Sequence, residues 1–187
     1  MDWLLQLDER LFLAVNSRGT SALDILFILI TQLGRGIALA ALVLGPMALL
    51  DRKRLRAHLV PLVLSVGIGA LAVEGTKWAV DRDRPARHFA SSAHGAARVR
   101  MPAAQLYRRS FPSGHAQSAV GAATYVALLY PALALPAAAL ALLVCLSRVY
   151  LGVHFPLDVL AGALVGVGFS VLGFVVQARR RRRTETT

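Results

Sequence analysis

The sequence predicts an all-α fold: a polytopic membrane helical bundle of about five transmembrane helices, preceded by an N-terminal amphipathic helix. Three observations lead there. The 187-residue chain is 56% hydrophobic and 17% charged, with a mean hydropathy of +0.57. A soluble domain is about 45–50% apolar and about 25% charged. The net charge is nonetheless +11, from 21 Lys and Arg against 10 Asp and Glu, and 16 of those 21 cations fall in three short patches, at 51–56, 81–112 and 179–183. Disorder is excluded, because it needs low hydrophobicity. A nucleic-acid partner is disfavoured, because such binders carry their basic residues on soluble scaffolds. The partner implied is the lipid bilayer, and the whole chain, 1–187, reads as one domain.

Taken in order, the N-terminus, Met1 to Arg10, has no basic start, long apolar core or small-residue cleavage site, so it does not read as a signal peptide. Trp3, Leu4, Leu7, Leu11 and Val15 recur at helical spacing and predict an amphipathic helix on the membrane surface; a sixth span is the alternative. Five stretches approach the roughly 20 apolar residues that a spanning helix needs: about 22–50, 57–80, 113–130, 132–150 and 155–177. Pro131 marks a tight turn between the third and fourth. The lone Cys145 lies in an apolar run and reads as buried packing.

Cations mark the cytoplasmic side of a membrane protein. The 51–56 loop and the basic tail, 178–187, are therefore expected inside. Five spans then place the N-terminus and the 81–112 loop outside, although that loop carries seven arginines. Arginines on the wrong side need a reason, and binding phosphate supplies one.

The same side collects the reactive side chains in three clusters. Lys77 ends the second span and is followed by Asp81-Arg82-Asp83-Arg84-Pro85. Phe111-Pro112-Ser113-Gly114-His115 starts the third. Ser147-Arg148 and His154 to Asp158 join the fourth to the fifth. Pro112 suits a first helical turn, where a missing N–H costs nothing. Ser113, Gly114 and His115 would then present free backbone N–H groups to an anion. Lys77, Arg84 and Arg148 supply the charge that a phosphate needs. His154 and Asp158, four apart, fall on one face if helical. The carboxylate then holds one imidazole nitrogen as N–H and leaves the other free to attack. Each signal is weak alone, and their convergence on one side is what carries weight.

These residues resemble the signature of the type 2 phosphatidic acid phosphatase superfamily. Lys77 with Arg84-Pro85, then Pro112-Ser113-Gly114-His115, then Ser147-Arg148 with His154 and Asp158 match it at every position, within a motif core of 77–158. The resemblance implies an integral membrane lipid phosphatase that uses no metal and no cofactor. It makes His154 the nucleophile, His115 the proton donor to the leaving oxygen, and Asp158 the group that orients His154. Lys77, Arg84, Ser113, Gly114 and Arg148 would bind the phosphoryl oxygens. Soluble acid phosphatases and vanadium haloperoxidases share the signature, but five apolar spans argue against both. The resemblance further implies a bacterial cytoplasmic (inner) membrane protein, multi-pass, with its site facing the periplasm or exterior and its C-terminus in the cytoplasm. The substrate implied is a phosphomonoester or pyrophosphate of a membrane lipid. Undecaprenyl pyrophosphate is the first expectation; phosphatidylglycerophosphate, phosphatidate and lipid A are the alternatives, as is phosphotransfer to an acceptor other than water. The pattern leaves the oligomeric state open.

Other residues carry two readings each. Glu74, three before Lys77, either neutralises it or positions it for phosphate. Arg35, between Gly34 and Gly36, either marks a bend in the first span or contacts a headgroup. His88 and His94, in a loop expected to be mobile, are too isolated for a metal site. Arg98, Arg100, Arg108 and Arg109 either attract anionic lipid or form a solvated basic loop.

Overall fold

The computed structural model describes residues 2–90, 99–102 and 106–185. It is a helical membrane bundle. In chain order the helices are α1 (Asp2–Asn16), α2 (Ser21–Gln32), α3 (Gly36–Leu50), α4 (Arg52–Val80), α5 (Pro85–Ala90), α6 (Gly114–Leu129), α7 (Ala134–Tyr150) and α8 (Pro156–Glu185), with a 3₁₀ turn at Pro131–Leu133 leading into α7. Among the described residues, the helices built on α4, α7 and α8 are long and apolar enough to cross a bilayer. The bent pair α1 and α2, at 115°, meets that test only when taken together. By this measure the spans number three or four, against the five expected.

The difference has local causes. The expected first span, 22–50, is two helices, because the chain turns at 33–35 between α2 and α3. Arg35 therefore marks a bend. The expected third span is α6, whose 16 residues reach only about 24 Å at 1.5 Å per residue. The 51–56 segment is not a loop. Asp51 caps α4, its carboxylate accepting the Arg54 N–H at 3.1 Å, and Arg52 to Arg56 form the first turns. The basic tail is not free chain either, since α8 continues through the arginines to Glu185. Cations there suit the negative end of the helix dipole.

α6 is the hub, packing against α8, α7, α4 and α3. Its contact with α8 is made through backbone. A Cβ at Gly162 would meet the Ser113 carbonyl oxygen at 2.2 Å, and one at Gly166 would meet that of Gln117 at 2.4 Å. Small residues four apart let helix axes approach this closely in a membrane. Ser170 adds a hydrogen bond across the same seam, donating to the Gly121 carbonyl at 2.7 Å. The antiparallel run of α4, α6, α7 and α8 brings the C-termini of α4 and α7 to the N-termini of α6 and α8. The two basic patches share the opposite end, where Gln177 donates to the Ala57 carbonyl at 2.7 Å.

The N-terminal helix exposes Trp3, Leu4, Leu7 and Leu11 of the apolar stripe expected to face lipid, whereas Val15, the last of that stripe, packs against the core. Its other face is not left to water. Asp8, Phe12 and Asn16, four apart in sequence, are buried against the bundle. Cys145 is buried, as expected.

Replacing Gly166 with Val should wedge α6 from α8. We expect destabilisation of about 1–3 kcal/mol, read as a lowered melting temperature in detergent. Val at Gly168, which has open space around it, should be neutral by the same measurement.

Candidate active site

All three clusters meet at the end of the bundle opposite the basic patches, and backbone hydrogen bonds stitch them together. The Ser113 N–H donates to the Asp158 carbonyl at 2.9 Å. Within the third cluster the His154 N–H donates to the Arg148 carbonyl at 3.2 Å, and the Arg84 side chain ties the first cluster to the third by donating to the Val153 carbonyl at 3.0 Å.

A cavity of about 310 Å³ opens between the 34–36 bend, α4 and α6, and is lined among others by Arg35, Glu74, Lys77, Gly114 and His115. Lys77 pairs with Glu74 at 2.9 Å. Its Nζ would stand 3.7 Å from a Cβ on Gly114, an ordinary contact distance that places the ammonium at the start of α6. Gly114 and His115 occupy the first positions of α6, where a backbone N–H has no acceptor within the helix. The Ser113 N–H is already committed to Asp158, which corrects the expectation that it is free, and the Ser113 hydroxyl caps Ala116. Pro112 is not in the first helical turn; it precedes the N-cap, Ser113.

Behind the cavity wall lies a buried group: Arg84, Arg148, His154 and Asp158. Arg84 donates to the carbonyls of Arg108, Val153 and Arg109, which leaves one guanidinium nitrogen 3.4 Å from His154 Nε2. Arg148 donates to the Thr31 hydroxyl at 2.6 Å. His154 and Asp158 do not share a helical face: α8 begins at Pro156, so the histidine sits in the preceding loop. Asp158 comes to it nonetheless, its Oδ2 lying 3.6 Å from Nδ1 while accepting the Phe155 N–H at 2.8 Å. That separation is an ion-pair distance, too long for a hydrogen bond. Burial disfavours an imidazolium and, aided by the charges of Arg84 and Arg148 against the opposing pull of Asp158, holds His154 down at about 4. The ring is thus neutral, with a lone pair available, at neutral pH. Arg84 is also shifted below its ordinary value by burial, but a guanidinium stays charged.

Sequence reasoning missed the partners of this group. Arg82 donates to Asp158 Oδ1 at 2.6 Å and to Asp8 Oδ2 at 2.7 Å, with its guanidinium 4.4 Å from the centre of the Phe155 ring. Asp8 also accepts the Leu157 N–H at 2.8 Å. Asn16 bridges the Arg100 and Tyr150 carbonyls at 2.8 Å each. The available signal was a polar residue on a helix meant for lipid, which requires a partner. The other arginines are largely spoken for. Arg100 pairs with Asp24, Arg108 with Asp81, and Arg109 stacks on Trp78. His88 lies in α5 rather than in a loop, with Glu9 at 2.9 Å. His94 and Arg98 lie outside the described residues.

This is a membrane helical bundle with two histidines, a buried carboxylate and three cations gathered at one end. The chain belongs to the PAP2 superfamily, whose profile matches residues 58–182. It is 32% identical over 172 residues to an undecaprenyl-diphosphatase of Sulfolobus acidocaldarius, covering 90% of this chain and 77% of that protein. It is 40% identical over 70 residues to a lipid A 1-phosphatase of Rhizobium johnstonii, a stretch that spans 37% of this chain and 29% of that relative. The crystal structure of Aquifex aeolicus LpxE superimposes with a TM-score of 0.74 at 28% identity, covering 90% of this chain and 94% of the other. A PAP2-type phosphatidylglycerolphosphate phosphatase from Bacillus subtilis shares the fold with a TM-score of 0.74 at 24% identity, covering 96% and 88%.

Nitrogen-15 spectra of histidine-labelled protein in detergent should show one imidazole with a midpoint near 4 that disappears in His154→Gln. A midpoint at the ordinary 6.5 contradicts the burial seen here. Between pH 6.5 and 4 an unfolded chain takes up a proton on this ring that the folded chain does not. His154 therefore lowers stability as pH falls through that window.

Proposed function

We propose that the chain is an integral membrane lipid phosphatase working through a phosphohistidine on His154. The observation that carries this reading is the buried His154 with Nε2 beside Arg84 and Nδ1 facing Asp158. In the first step Nε2 attacks phosphorus, and the bond from phosphorus to the leaving oxygen breaks. His115 passes its proton to that oxygen. In the second step His115 takes a proton from water, the resulting oxygen nucleophile attacks the phosphohistidine, and phosphate leaves with Nε2 restored. Lys77, Arg84, Arg148, Ser113 and the Gly114 N–H stabilise charge on the phosphoryl oxygens. Asp158 steadies the positive charge that builds on the imidazole. Neither step calls on a metal or another cofactor.

The substrate is a phosphorylated membrane lipid, with undecaprenyl pyrophosphate first in line. That choice is supported by likeness to the Sulfolobus undecaprenyl-diphosphatase along 90% of the chain. A second reading, lipid A dephosphorylation, draws on the 40% identity to the Rhizobium enzyme and on the likeness to LpxE. An apolar cavity of about 480 Å³ between α3, α6 and α7, lined by residues such as Leu39, Val43, Met47, Ala122 and Val126, suits a lipid tail beside either headgroup. Both basic patches lie at one end, which the positive-inside rule assigns to the cytoplasm together with the C-terminus. The site then faces the periplasm or cell exterior of a bacterial inner membrane.

Purified protein in detergent should release phosphate fastest from undecaprenyl pyrophosphate among that lipid, phosphatidylglycerophosphate, phosphatidate and lipid A. His154→Ala and His115→Ala should each abolish release while melting like the parent. Vanadate should inhibit and chelators should not. Wild-type turnover in either variant sinks the mechanism, and loss of activity on chelation points to a metal instead. Labelled phosphate appearing in an acceptor lipid rather than in water would make the enzyme a phosphotransferase.

A further inference from the structure

The N-terminal helix lies outside residues 58–182, the part of the chain that matches the family profile. It nevertheless reaches the innermost carboxylate of the site. We propose that Asp8 and Arg82 are positioning residues that set Asp158, and through it His154, in the geometry for attack. This rests on the reading of His154 as nucleophile.

The connections run both through side chains and through backbone. Asp158 has no exposed surface, and one of its oxygens depends on Arg82. Arg82 divides its fork between Asp158 Oδ1 and Asp8 Oδ2, at 2.6 and 2.7 Å, and its flat face lies on the Phe155 ring. Two carboxylates and a ring thus hold the guanidinium, so it cannot swing away from Asp158 without breaking the other contacts. Asp8 meanwhile fixes the backbone of Leu157, the residue before Asp158, through its second oxygen. One buried side chain of α1 therefore anchors both the turn that bears the catalytic carboxylate and the cation that grips it. Phe12, one helical turn further along α1, packs against Phe155 and Phe89 with ring centres 5.3 and 5.6 Å away, which seats the helix.

A carboxylate that steadies an imidazole acts through its position. Asp158 stands 3.6 Å from Nδ1, and its approach during attack is set by what holds its other oxygen. Neither Asp8 nor Arg82 lines the cavity with Lys77 and His115. Their loss should therefore lower kcat and leave KM nearly untouched, which is the mark of an interaction used in the transition state rather than in binding.

The test uses full-length protein in detergent with undecaprenyl pyrophosphate, or with the lipid of the panel that the wild type hydrolyses fastest. Asp8→Asn keeps an oxygen for the Leu157 N–H but turns an amide NH2 toward Arg82, removing both the charge and the acceptor that hold the guanidinium while the Leu157 turn stays anchored. We expect kcat to fall about tenfold, with KM within about twofold. Arg82→Met should lose about a hundredfold, and Arg82→Lys, which keeps a cation beside Asp158, should recover part of that. The double variant Asp8→Asn/Arg82→Met should match Arg82→Met alone, because the two residues act in series. Single-turnover labelling should show slower formation of the phosphoenzyme, and vanadate, which mimics the transition state, should bind more weakly in step with kcat while inorganic phosphate affinity stays at the parental value. Asp8→Asn activity within twofold of wild type, additive losses in the double variant, or a drop in kcat that tracks a lower melting temperature and lost phosphate binding would each overturn the proposal. Wild-type turnover on the same panel tests the phosphatase reading separately, so the two failures are distinguishable.

Discussion

Asp158 carries no exposed surface, and an unpaired carboxylate in that setting costs several kcal/mol, about 3–5 when a buried pair is broken. Its surroundings are organised to meet that cost. Arg82 takes one oxygen, the Phe155 N–H takes the other, and the Asp158 carbonyl accepts the N–H of Ser113. Those contacts pull together the end of α4, the loop before α8 and the start of α6. His154 sits in that loop, and the cation-lined cavity opens between the 34–36 bend, α4 and α6.

Close helix packing makes this convergence possible. The Ser113 hydrogen bond to Asp158 requires the start of α6 to lie against the first turn of α8, and Gly162 allows it by leaving room for the Ser113 carbonyl. Gly166 continues the same seam one turn deeper. The seam and the site are thus joined through the Ser113 hydrogen bond to Asp158.

The +11 charge separates along the bundle axis. At one end, Arg52 to Arg56 and Arg179 to Arg183 extend α4 and α8 as charged helix rather than as loops. At the other end, most cations are held by the protein itself: Arg100 by Asp24, Arg108 by Asp81, Arg82 by Asp8 and Asp158. Arg84 and Arg148 are different: among the described residues they are held by carbonyls and a hydroxyl, with no carboxylate at ion-pair distance, and Asp158 acts on Arg84 only from farther off.

Composition, the clustering of charge and the apolar stretches were enough to show a helical membrane protein, and three short clusters were enough to single out Lys77, Arg84, His115, Arg148, His154 and Asp158 as candidates, because these signals are local in the chain. Helix breaks were less legible. The bend at Arg35 was one of two readings of a residue flanked by Gly34 and Gly36, and the loop position of His154 follows from α8 starting only at Pro156. The partnership of Asp8 with Arg82 was invisible for a stronger reason. The two residues are 74 positions apart, and an aspartate on an amphipathic helix reads as its water-facing side until the bundle is assembled. Tertiary packing turned that face inward, because a carboxylate buried at Asp158 needs its arginine held in place and α1 lies close enough to hold it.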